Sequence, residues 1–100
     1  MSELSRFYGI IIAIYFRDVG KHNAPHIHVD YAGHSASVEI ETGDVLDGKL
    51  PPPVLRLVQQ WMDEHQEELF DRWDRAVAGQ KVPRIAPLKR HRRLRRRDGR

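Results

Sequence analysis

The sequence predicts a small α+β domain: an antiparallel sheet of three to four strands packed on a helical hairpin, or on one long helix, with a C-terminal extended segment and a basic tail. Three observations carry this. Apolar residues alternate with polar ones through His26–Tyr31 and again through Ser35–Glu41, the period of a half-buried strand. From Val54 to Val77 the apolar positions instead recur every three or four residues, the period of an amphipathic helix. Between the two regimes stands Pro51-Pro52-Pro53, whose fixed φ and missing N–H suit a helical first turn.

The first strand is expected over Tyr8–Phe16, rich in β-branched and aromatic residues and apolar on both faces. Arg17-Asp18-Val19-Gly20-Lys21 closes it with turn chemistry. Pro25 then starts the next strand, where a missing ladder donor does no harm. A two-residue turn at Ala32-Gly33 would pair residues whose numbers sum to 65. Ile27 then faces Val38 and Val29 faces Ala36, while on the other side His28 faces Ser37 and His26 faces Glu39. A one-residue slip would destroy both sets of matches. Thr42-Gly43 is the next turn, and Asp44-Val45-Leu46 a short strand.

One unbroken helix over residues 52–78 would run roughly 40 Å, long for a domain whose gyration radius should be about 13 Å. A break near Asp63–His65 is favoured, with Asp63 and Gln66 resembling a capping box and Gly79 as the stop. The expected core is Ile10, Ile12, Ile14, Ile27, Val29, Val38, Ile40, Leu57, Val58, Trp61, Leu69 and Trp73. Ile85 and Leu88 should dock on it from an extended segment. Residues 1–88 form a single domain in this reading, and residues 89–100 a disordered tail.

Charge divides along the same line. Residues 1–88 hold 9 Lys and Arg against 13 Asp and Glu, whereas residues 89–100 hold 8 basic residues and 1 acidic residue. The high isoelectric point therefore belongs to the tail, where Arg90, Arg92, Arg93, Arg95, Arg96 and Arg97 are candidates for phosphate contacts with a nucleic acid. No cysteine is present, so a metal would need His, Asp or Glu. Met1-Ser2-Glu3-Leu4 lacks the basic start of a secretory signal, and no apolar run is long enough to span a bilayer. A cytoplasmic location is the expectation.

Four of the six histidines fall between His22 and His34. His-x-His on a strand puts two imidazoles on one face, and the register sets the Glu39 carboxylate opposite His26. Three uses of this face are open. His26 and His28 act as acid and base with Glu39 orienting one of them, as in a metal-independent ribonuclease-like enzyme. They bind zinc or another divalent metal together with Glu39, completed by Asp30, His34 or His22. Or they form a polar sheet face with a local hydrogen bond. No cofactor is required by any motif.

Ser5-Arg6-Phe7-Tyr8-Gly9-Ile10, Asn23-Ala24-Pro25-His26-Ile27-His28-Val29, Glu39-Ile40-Glu41-Thr42-Gly43, Gly48-Lys49-Leu50-Pro51, the Trp61–Trp73 stretch and Ile85-Ala86-Pro87-Leu88 together resemble a small prokaryotic family, domain of unknown function 4160. The resemblance spans residues 5–88. Family members usually carry Pro-Pro where this chain has Ala24-Pro25, and the arginine-rich tail lies outside the pattern. No established activity comes with the resemblance. It does imply a small binding or regulatory module, one component of a toxin–antitoxin-like pair, because members are often encoded beside a second small domain. A small protein partner, nucleic acid through the tail, and a homodimer are the associations expected.

Overall fold

A computed structural model describes residues 2–15 and 24–89. Five strands form one antiparallel meander in chain order: β1 (Ser2–Phe7), β2 (Ile10–Ile14), β3 (His26–Tyr31), β4 (His34–Glu39) and β5 (Val45–Gly48). Two helices follow, α1 (Pro52–Glu64) and α2 (Gln66–Val77). The fold class is α+β as expected, and the sheet has five strands rather than three or four.

The additional strand is β1, and its absence from the sequence reading has a physical cause. A bulge between Glu3 and Ser5 inserts Leu4 as an extra residue, so buried Leu4 and Phe7 lie three apart and the period of two is lost. The turn that follows is Tyr8-Gly9, with φ of 52° and 79°. Both values are positive, as a two-residue hairpin turn of matching twist requires. Tyrosine's strand preference hides that turn, and β2 consequently begins at Ile10 rather than Tyr8.

The β3–β4 pairing is the one the two-residue turn dictates, from His26↔Glu39 through Tyr31↔His34. Ala32 and Gly33 form the turn, both at positive φ. Pro25 extends the same register, its carbonyl accepting the Ile40 N–H at 2.9 Å.

The helices break at His65. No capping box forms there: neither helix start has a side-chain cap, and the Gln66 amide donates instead to the Ile40 carbonyl (2.9 Å). Gln59, one helix earlier, donates likewise to the Gly43 carbonyl (2.9 Å). The β4–β5 turn thus holds both helices beside their break. Gly79 ends α2 at φ 71°, with Gln80 N–H on the Arg75 carbonyl and Gly79 N–H on the Ala76 carbonyl. These are the paired bonds that satisfy the last helical carbonyls.

Every expected core residue except Leu57 is buried; Leu57 is half-buried at the rim. Leu4, Phe7, Val54, Met62 and Ala76 join the core, as do Ile85 and Leu88. The segment 82–88 lies along the molecule as a strap. Its Ile85 N–H donates to the Leu4 carbonyl (2.8 Å), its Ala86 carbonyl accepts the Trp61 indole N–H (2.8 Å), and its Arg84 pairs with Glu3 (3.0 Å). Among the described residues, no helix is long and apolar enough to cross a membrane.

Candidate functional site

The sheet has two chemically distinct faces. Ile12, Val29 and Ala36 form one transverse row, and Ala13, His28, Ser37 and Asp47 form the next one, on the opposite side. Alternation places His26, Asp30, Ser35 and Glu39 on that second, polar face.

His26 is treated by the fold as a core residue. It is 1% exposed, its ring lies 5.1 Å from that of Trp73 on α2, and its Nδ1 bonds the Ala24 carbonyl at 3.0 Å. A carbonyl only accepts, so this nitrogen carries hydrogen. His28 is half-buried. Its ring stacks on Tyr15 with centroids 4.2 Å apart and planes at 13°, and meets the His26 ring edge-on at 5.5 Å. The two imidazoles do come together on one face, and Tyr15 and Trp73 flank them in a run of four rings.

Glu39 sits opposite His26 in the register, yet its carboxylate accepts from Thr42 Oγ1 at 3.1 Å. Thr42 Oγ1 in turn accepts the Asp44 N–H at 3.1 Å. The carboxylate assigned to orient an imidazole thus organises the β4–β5 turn. Asp30 Oδ1 accepts the Ser35 hydroxyl at 2.5 Å. His34 pairs across from Tyr31, which puts it on the opposite face from His26 and His28 and removes it as their co-ligand. His22 and the tail arginines Arg90, Arg92, Arg93, Arg95, Arg96 and Arg97 lie outside the described residues. Among the described residues, no three or more His, Asp or Glu side chains are grouped so as to hold a metal ion.

Two concave regions went unread in the sequence. On the apolar side, a cleft of about 360 Å³ is lined by Tyr8, Ile10, Tyr31, Pro53, Val54 and Leu57. It adjoins a second of about 330 Å³ bounded by Pro53, Arg56, Leu57 and Gln60. Tyr31 was legible as a member of the apolar face. Tyr8 was not, since its position depends on the hidden turn. On the polar side, a smaller cavity of about 140 Å³ is lined by His28, Ser35, Ala36, Ser37, Asp47 and Gly48.

The strongest electrostatic perturbations lie at the outer strand, where Glu3 pairs with Ala13, and on α2. Hydrogen bonds from Arg6 and then Arg84 lower Glu3 from 4.5 to about 2. Those from Arg75 and then Arg72 lower Asp71 from its ordinary 3.8. Both carboxylates anchor structure: Glu3 ties β1 to the strap, and Asp71 ties successive turns of α2.

No curated protein and no solved structure matches the chain. The family model described as domain of unknown function (DUF4160) matches residues 9–74, a span that takes in the His-x-His strand, the β4–β5 turn and most of both helices, and the chain belongs to that family.

Proposed function

We propose that this protein is a small binding module, one component of a toxin–antitoxin-like pair in the cytoplasm, and that its partner docks on the apolar groove between the β1–β2 turn and α1. The observation that carries this is the groove itself. Tyr8 is 52% exposed and lines one cleft with Tyr31, Pro53 and Leu57, and Pro53 and Leu57 carry the groove on into the adjoining one. Contiguous apolar surface of this kind, rimmed by polar residues such as Arg56 and Gln60, is what protein interfaces use. The 1% exposure of His26 weighs on the same side: a ribonuclease-like acid–base pair needs both imidazoles within reach of substrate. The arginines of residues 90–97 add a sequence-independent phosphate contact in this reading.

The test is co-expression with whatever protein the neighbouring gene encodes, followed by size-exclusion chromatography. A stable complex is expected, lost in Pro53→Glu. Pro53 is exposed in the first turn of α1, where an acidic residue suits the helix dipole, so the variant should fold while placing charge in both clefts. A complex that survives Pro53→Glu places the interface elsewhere, and no complex at all overturns the pairing.

A further inference from the structure

The small cavity on the polar face has the makings of a second binding site, independent of the apolar groove. Its floor is the row His28, Ser37 and Asp47, contributed by three adjacent strands through direct cross-strand pairing. Ser37 is only 5% exposed and lines the cavity. Ser35, beside it, donates to Asp30. Asp47 is exposed at the rim, so its carboxylate meets solvent and any ligand. The His28 ring lines the cavity and is held by its stack on Tyr15.

We propose that this cavity binds a guanidinium group. Its volume of about 140 Å³ is below the roughly 300 Å³ at which drug-sized ligand sites begin, so it takes the end of one side chain rather than a nucleoside or cofactor. The carboxylate of Asp47 sets its sign and opposes an anion. The lack of a metal-holding group among the described residues removes a bare divalent cation. An ammonium ion is a compact, strongly hydrated charge, whereas guanidinium is planar, weakly hydrated and stacks on rings. A carboxylate at one side, a hydroxyl acceptor at the floor and an aromatic ring in the lining match a guanidinium group.

The experiment is an amide-shift NMR titration of the full chain with four capped probes: N-acetyl-arginine methylamide, its citrulline and lysine counterparts, and methylguanidinium. Shifts should centre on His28, Ser37, Asp47 and Gly48, with arginine at least tenfold tighter than citrulline and tighter than lysine. In Asp47→Asn, an isosteric change at an exposed position, the arginine-to-citrulline ratio should fall to near one. Ratios are taken within each protein, so competition from residues 90–97 cancels. If arginine outbinds methylguanidinium, the ligand is a peptide side chain; if the two are equal, it is a free guanidinium compound. Equal binding of arginine and citrulline, an unchanged ratio in Asp47→Asn, or shifts mapping to another surface would overturn the site.

Discussion

The two faces of the sheet are built from the same strands, yet they are held by different forces. On the apolar face, Ile12, Val29 and Val38 are fully buried and interchangeable in kind; burial of area is what matters there. On the polar face the contacts are individual: Asp30 with Ser35, Glu39 with Thr42, His28 with Tyr15. A strand's alternation decides which residues share a face, but not how each polar one is used. That is decided by what lies beyond the sheet, and His26 makes the point. It belongs to the polar face by register and to the core by burial, because Trp73 from α2 closes over it.

The largest effect should come from the apolar side. Trp61 is fully buried, packs on Phe7 with centroids 5.8 Å apart and donates to the strap at Ala86. Trp61→Ala should cost about 3–5 kcal/mol by cavity formation, enough to lower the melting temperature by tens of degrees in a domain this size. A loss below about 2 kcal/mol would mean the core collapses around the gap.

His26→Ala and His28→Ala divide the polar face. Buried His26 should cost about 2–4 kcal/mol on truncation, half-buried His28 about 1, as read by denaturant midpoints. Equal costs would erase the distinction drawn between the two imidazoles.

These contrasts also explain what could be read from the residues alone. The β3–β4 register was legible because one turn length satisfied both faces at once: Ile27 with Val38 on one, His28 with Ser37 on the other. The helix break and the docking of Ile85 and Leu88 were legible from length and from isolated apolar residues in a polar stretch. β1 was hidden by its bulge and by a tyrosine in a left-handed turn position. The site was legible only in part. Pairing put Glu39 opposite His26, but a hydroxyl three residues along the chain, at Thr42, captured the carboxylate. The burial of His26 rests on a contact with a residue far along the chain, beyond the reach of local pattern.

A smaller effect tests the turn that fixes both faces in register. Ala32 adopts φ 45°, a conformation that costs an alanine roughly 1 kcal/mol and that asparagine tolerates. Ala32→Asn should stabilise by about 0.5–1 kcal/mol. Destabilisation would show that the turn is held by something other than its own dihedral angles.

The smallest effect concerns pH. Glu3 falls from 4.5 to about 2 in the folded chain. A depressed carboxylate contributes stability above its unfolded value, and that contribution is lost as pH drops through the folded one. Glu3→Gln should therefore melt slightly below the parent at pH 7, with the gap closing between about 4.5 and about 2. A gap that persists at pH 2 would assign the effect to packing.

The strap has a consequence for kinetics. The strand meander joins neighbours in sequence, whereas the Tyr8 hydroxyl reaches the Lys89 carbonyl across 81 residues, and Ile85 meets Leu4 over a similar span. Closing so long a loop is entropically disfavoured until the rest is in place, so the strap should dock after the folding barrier has been crossed. Weakening it then acts on escape from the native state and not on arrival. Ile85→Ala, at a cost of about 2 kcal/mol, should unfold about 30-fold faster while refolding at nearly the parent rate. The strap thus works as a latch that sets how long the native state lasts.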